Sequence, residues 1–245
     1  SEIYLTHLLE LPLSQVDALS SHSELPEAVF FMKLAHKKFE DVLSRDYLKG
    51  INVRENVDFN QSFSGIADTA KQNQVDLIIM GSHGASGFKE MFIGSNTEKV
   101  VRTFVVPVLV IKNEHKDFDI NDFVFASDFK NDSKETYKQA TALAKAFDAK
   151  IHLLMVNTAN TFTTTEKAKS RITNFIKGND FANYTINIYN DENVEKGILN
   201  FSHSINADLI GISTHGRQGI AHFLNGSISE DLVNHAKRPV ITFKI

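Results

Sequence analysis

Short apolar runs alternate with longer amphipathic ones along the chain, and the alternation is complete from residue 123 onward. Residues 123–126 read Phe-Val-Phe-Ala, the pattern of a buried strand. Ser133 stands as a cap before a helix over 134–147, where Tyr137, Ala140, Leu143, Ala144 and Phe147 share one face. Then come a strand at 150–156 and a helix at 164–177 with Ile172, Phe175 and Ile176 as its stripe. A strand at 184–189, a helix at 193–205 and a strand at 208–213 follow. A helix near 227–236 and a strand at 240–244 close the series. Strands alternating with helices predict an α/β fold, a parallel sheet with helices on both faces.

The first half repeats this series from its second strand. Strands are predicted at 3–9, 52–57, 76–81 and 108–112, and helices at 27–47, 64–73 and 95–103. In the long helix Phe31, Leu34, Ala35, Val42 and Leu43 are expected to face inward, while Lys33, Lys37 and Lys38 form a solvated face. No counterpart of 123–147 precedes the first strand, and the sequence begins with Ser. A central strand missing from a parallel sheet would leave apolar neighbours unpaired, so the expectation is a leading segment before residue 1.

The two halves are copies of one another. Gly81, Gly84, Gly94 and Ser95 follow the pattern Gly-x2-Gly-x9-Gly-Ser, and Ser213, Gly216, Gly226 and Ser227 repeat it with one change. From 84 to 216 and from 94 to 226 the offset is the same 132 residues. Asp76-Leu77-Ile78 matches Asp208-Leu209-Ile210, Gly65-Ile66 matches Gly197-Ile198, and Pro107-Val108 matches Pro239-Val240. A period of this length is a domain, not a solenoid unit of about 20–50 residues. The expected division is 1–114 and 115–245, within the usual size range for a 245-residue chain.

Composition narrows the function classes. The net charge of −4 and pI of about 6.2 advertise neither a nucleic acid nor an anionic membrane. There is no cysteine, hence no disulfide framework and no thiolate chemistry. No apolar run approaches the roughly 20 residues of a membrane span, and no signal-peptide pattern opens the chain. A cytoplasmic protein is the default expectation.

The glycine loops carry the candidate chemistry. A parallel sheet places its ligand crevice beyond the carboxyl ends of its strands, where Gly81 and Ser213 fall. Ser95 with Glu98, and Ser227 with Glu230, read as capping boxes, which puts a helix N-terminus directly after Gly94 and Gly226. Such an end offers free amides and a positive dipole to an anion. The serine hydroxyls suit either a phosphate contact or the cap alone. The loop is neither a P-loop, whose lysine it lacks, nor a Gly-x-Gly-x-x-Gly turn.

Together, the spaced glycines after the fourth strand, the Asp ending the first strand and the closing Pro-Val strand resemble the universal stress protein family, in its tandem two-domain form. The resemblance implies Rossmann-like, universal-stress-type domains packed as a pseudo-dimer and a site for ATP, with or without Mg. Carried over, the second site comprises Asp128, Val156, Ser213, Gly216, Gly226, Ser227 and Ile228. The first comprises Gly81, Gly84, Gly94, Ser95 and Asn96, with Leu8 near the base. In this pattern Asp128 and the end of the second strand frame adenine, and the later glycines and Gly-Ser pair hold phosphates. The first repeat has no equivalent of Asp128, and the second has Ser213 where a glycine is expected.

Each of these residues also has a plainer role. Asp128 can simply end a strand and start a turn, and His83 and His215 can make structural hydrogen bonds in their loops. No HExxH pair or carboxylate cluster supports metal catalysis, and Gly211–His215 departs from a hydrolase elbow at its last position. Asp117, Asp119 and Asp122 fit a linker better than a calcium loop. The expectation is a regulatory ATP-binding stress-response protein without fast catalysis and with a protein partner. The alternatives are a nucleotide-free adaptor and a slow ATP hydrolase. The closing strands, 108–111 and 240–243, are expected to pair antiparallel, joining the copies within one chain; a homodimer stays open.

Overall fold

A computed structural model describes residues 2–8, 25–58, 64–81, 95–112, 118–130, 133–214, 232–233 and 235–245. It consists of two compact units, Ser1–Gln74 and Val75–Ile245.

In the first unit, β1 (Glu2–Leu8) pairs in parallel with β2 (Asn52–Asp58), Glu2 opposite Asn52 and Leu8 opposite Asp58. Between them run α1 (Leu25–Leu43) and a short 3-10 turn, Asp46–Leu48. The helix buries Ala35 and Phe39, one turn apart, with the His7 ring edge-on to Phe39. Of the expected inward face, Ala35 is buried and Phe31 and Leu43 are half-buried, but Leu34 is 45% exposed and Val42 37% exposed, and Phe39 takes their place in the core. The expected helix at 27–47 also ends early, at Leu43, with Tyr47 in the 3-10 turn. A last element, α2 (Ser64–Gln72), is tied to β2 by Asn56 donating to the Thr69 hydroxyl at 2.9 Å.

The second unit is built on one sheet. Its elements are β3 (Ile78–Gly81), α3 (Ser95–Thr103), β4 (Val108–Ile111), β5 (Asp122–Ala126) and α4 (Lys134–Phe147). They continue with β6 (Lys150–Asn157), α5 (Thr165–Ile176), β7 (Tyr184–Asn190), α6 (Val194–Ser204), β8 (Leu209–Thr214) and β9 (Val240–Lys244). The strand order is β3-β4-β9-β8-β5-β6-β7. All pairs are parallel except β4 with β9, where Val108 faces Thr242, Leu109 faces Ile241 and Val110 faces Val240. The expected antiparallel pairing of the two closing strands is thus present. It also explains why the compact units part after Gln74 and not at the end of the first sequence repeat. Strands β3 and β4 belong to the first repeat by sequence and to the larger sheet by hydrogen bonding.

Alternate residues sort onto the two faces of this sheet. Phe123, Phe125, Ile151, Leu153, Leu209, Ile241 and Phe243 point to one side, into a core closed by Tyr137, Ala140 and Ala144 of α4 and by Ala168, Ile172 and Phe175 of α5. Val124, Leu154, Val156, Ile210 and Val240 are buried too. Val156 meets Gly197 of α6, and Phe201 of the same helix lies edge-on to the His152 ring on that side. Burial on both faces is why these strands read as continuous apolar runs. Helix starts follow local chemistry: Thr164 accepts from the Lys167 amide and Asn193 from the Lys196 amide at 2.8 Å. Ser133 precedes α4 but does not cap it through its side chain.

Candidate functional site

The carboxyl ends of β5, β6 and β8 come together because their registers are in step. Ala126 pairs with Leu154 on one side and with Ile212 on the other. Asp128 follows just beyond the end of β5, while Val156 lies two residues past Leu154 and Ser213 one past Ile212, so the three stand near the carboxyl ends of adjacent strands. Three of the expected second-site residues are therefore neighbours by strand register. Gly216, Gly226, Ser227 and Ile228 lie outside the described residues, as do His215 and the capping pair at 227 and 230.

Asp128 closes a tight turn. Its Oδ1 accepts from the Lys130 amide at 3.2 Å, and the Ser127 hydroxyl accepts from the Phe129 amide at 3.1 Å. The turn forces Phe129 to φ +53, the left-handed region that bulky residues avoid. Such strain, on the order of 1–3 kcal/mol, persists only where packing over-determines it. Here the buried Phe129 ring packs edge-on to Phe175 at 5.3 Å and to Phe125 at 6.3 Å.

The second carboxylate oxygen of Asp128 is the unusual atom. The residue is 8% exposed, and its Oδ2 is buried without a hydrogen bond. Lys130 Nζ lies 2.9 Å away and supplies charge, but not along a hydrogen-bonding direction. The ammonium compensates the charge of this oxygen, and among the described residues no donor fills its hydrogen-bonding direction.

Its neighbours are held firmly. A Cβ on Gly197 would lie 2.5 Å from Val156 Cγ1, so the glycine lets α6 press against the end of β6. The duplicated Gly65-Ile66 and Gly197-Ile198 pair was the sequence signal for this contact, although the signal did not reveal its purpose. Ser213 Oγ lies 3.0 Å from the Thr136 hydroxyl, which in turn donates to Ser133 O at 2.6 Å. A glycine here would lose that link to α4, which gives the departure at position 213 a structural role.

In the first repeat Gly81 ends β3, and its carbonyl accepts from the Thr97 hydroxyl at 3.0 Å. Ser95 and Asn96 open α3, so the helix begins where the sequence placed it and is tied to the end of the strand. Gly84 and Gly94 lie outside the described residues, as does His83. Leu8 ends β1 in the other unit.

A second polar group occupies the amino ends of the strands. The Asn187 amide donates to Thr185 Oγ1, Thr185 Oγ1 lies 2.9 Å from His152 Nδ1, and His152 Nε2 lies 2.8 Å from Asp122 Oδ1. The Asp122 carboxylate can only accept, so the neutral ring carries its hydrogen on Nε2, and the Thr185 hydroxyl then donates to Nδ1. The chain is thus satisfied within itself. Among the described residues no group of His, Asp and Glu is arranged to hold a metal ion. Among those residues, too, no helix is long and apolar enough to cross a membrane.

Comparison with known proteins agrees with this architecture. The model of the universal stress protein family matches residues 1–112 and 187–244. A universal stress protein of Methanocaldococcus jannaschii is 36% identical over 89 residues, which cover 36% of this chain and 51% of that protein. The chain thus spans about half the length of that relative. A Staphylococcus aureus protein bearing the same family name is 28% identical over 138 residues, 49% of this chain and 82% of its own. Among solved structures, a universal stress protein from Archaeoglobus fulgidus superposes with a TM-score of 0.70 at 22% identity. It covers 100% of this chain and 86% of its own.

Proposed function

Because the chain belongs to the universal stress protein family, we propose that it is an adenine-nucleotide-binding regulatory protein, with ATP, alone or with Mg, as its ligand. It is built from modules at 1–114 and 115–245. The second module holds the better site: Asp128 and Val156 frame the base, Ser213 lies beside the ribose, and Gly216, Gly226, Ser227 and Ile228 cradle the phosphates. Gly81, Gly84, Gly94, Ser95 and Asn96 form the weaker counterpart. The output is a surface changed by nucleotide and read by a protein partner in the cytoplasm, without fast turnover.

The observation that carries this reading is the buried Asp128 carboxylate just beyond β5, whose Oδ2 is ion-paired with Lys130 but, among the described residues, accepts no hydrogen bond. The adenine amino group donates at its edge and would satisfy such an acceptor. Guanine presents a carbonyl oxygen there and would repel it. A hydrogen bond to a charged group contributes about 1.5–3 kcal/mol. Calorimetric titration should therefore show ATP bound in preference to GTP, with Asp128→Ala weakening ATP about tenfold or more. Equal affinity for the two nucleotides, or no change in Asp128→Ala, would overturn the reading.

A further inference from the structure

The loop that leaves β6 is braced at both ends and carries an exposed aromatic ring. The Asn157 side chain donates to Thr163 O at 2.9 Å and accepts from the Thr163 amide at 3.3 Å, closing the loop on itself. Across it, the Thr158 and Thr161 hydroxyls lie 2.8 Å apart, and the Thr161 amide donates to Thr158 O. The Asp191 amide donates to Asn157 O at 3.0 Å, fastening the base of the loop to the end of β7. Thr164 then caps α5. Within this frame Phe162 is 73% exposed.

A single exposed phenylalanine is ordinary on a protein surface. This one differs in its support and its place. The loop begins one residue after Val156, at the carboxyl end of β6 and next to the end of β5 that Asp128 follows. Because the loop is already ordered, placing a ligand against it costs little further conformational entropy. An acceptor can choose a base by its edge, but it does not cover the flat apolar face of a purine. An aromatic ring on the loop that leaves the neighbouring strand end is suited to do so.

We infer that Phe162 is the stacking platform for the adenine ring whose amino group Asp128 accepts. The inference rests on the adenine-nucleotide reading above and adds a division of labour. Asp128 selects the base, and Phe162 sets how tightly it is held.

The chain contains no tryptophan, so Phe162→Trp yields a protein with one fluorescent indole at the proposed contact. Titration with ATP should change its emission saturably, at the concentration where calorimetry shows wild-type binding. Phe162→Ala should raise the Kd for ATP, ADP and AMP alike by about tenfold, the scale of a lost base–aromatic stack. Far-UV circular dichroism should not move, since the ring is exposed. If the indole emission stays constant at saturating ATP, or Phe162→Ala keeps the wild-type Kd while Asp128→Ala still weakens binding, the stacking role is wrong and the nucleotide reading stands. If Phe162→Ala instead leaves ATP affinity intact and abolishes binding of a partner protein, the ring belongs to a docking surface and the inference falls. If the wild-type protein binds no adenine nucleotide, both fall.

Discussion

Replacing Gly197 by alanine sets two known effects against each other. Glycine in a helix interior costs about 1 kcal/mol relative to alanine, so the substitution at an open site stabilises by about that much. Gly197 is not at an open site. The new Cβ would stand 2.5 Å from Val156 Cγ1, 3.1 Å from its Cγ2 and 3.2 Å from Asp191 Cβ. Comfortable carbon–carbon contacts lie at about 3.5–4.0 Å. Val156 cannot easily turn away, because β-branched side chains are stiff at χ1 and β6 is paired on both sides. Helix α6 has to lift from the sheet, and overpacking of this kind costs about 1–3 kcal/mol. The expected result is a net loss of roughly 1–2 kcal/mol, read as a lower urea midpoint at unchanged slope. The decisive measurement is the double-mutant cycle with Val156→Ala. Removing the two methyl groups leaves a hole that the methyl introduced at position 197 partly fills, so the two changes together should be milder than their sum by about 1 kcal/mol or more. Displacement of Val156 should also weaken ATP while leaving Asp128 in place. A Gly197→Ala protein stabilised by about 1 kcal/mol, with no coupling to position 156, would refute the close approach of α6 to the strand end.

Three further outcomes are expected. The Tyr137 hydroxyl is buried without a hydrogen bond, so Tyr137→Phe should be neutral or stabilise by about 1 kcal/mol at pH 7 in urea unfolding. Burial pushes this phenol up to about 12, with nearby Tyr184 adding to the effect. Its contribution to stability is therefore whole below pH 10 and is lost as pH rises through 12. Relative to wild type, the phenylalanine variant should gain about 1.4 kcal/mol between pH 7 and pH 11, and an unchanged difference would count against the assignment. Gly211→Ala places a Cβ 2.6 Å and 2.8 Å from two atoms of the Phe123 ring and should cost about 1–3 kcal/mol, lowering the thermal midpoint; a stabilised variant would disprove that packing. Steady-state ATP turnover should stay well below about 1 per second, the low end of ordinary enzyme rates; faster hydrolysis would make the protein an enzyme.

Much of the fold was legible because both faces of the strands are buried. Continuous apolar runs at 123–126 and 153–156 have no reading as loops, and the repeat offset aligned the weaker first copy with the stronger second. The antiparallel joint was legible for a different reason: two terminal strands in one chain, each with an open edge, satisfy each other's backbone groups. The inward face of α1 was less legible. Periodicity placed Phe31, Ala35 and Leu43 on the inward side but could not set its edges, and Phe39 fills the core while Leu34 and Val42 stay outside. In the candidate site, Asp128, Val156 and Ser213 were picked out as expectations from the repeat and the family pattern. The strained Phe129 and the braced loop around Phe162 were not, because a left-handed φ at a phenylalanine and a side-chain clamp by Asn157 leave no periodic signature.

The seam between β4 and β9 constrains how the two glycine loops can act. Strands β3 and β4 run parallel, β4 and β9 run antiparallel, and β9 and β8 run parallel again. The carboxyl end of β3, at Gly81, and the carboxyl end of β8, at Thr214, therefore lie at opposite ends of the sheet. Two strands stand between them, a lateral separation of about 14 Å at the usual spacing of about 4.8 Å. With the two strand ends at opposite ends of the sheet, each repeat is expected to hold its own ligand or none. Influence of one site on the other would have to cross three registered pairs, Val108 with Thr242, Leu109 with Ile241 and Val110 with Val240, all of them buried. Coupling between sites requires an element with two arrangements that each ligand prefers differently. A close-packed, hydrogen-bonded strand pair offers little room for a second arrangement. Nucleotide binding in this protein is therefore expected to act on the surface around each loop separately, and a partner that reads one end of the sheet has no need to sense the other.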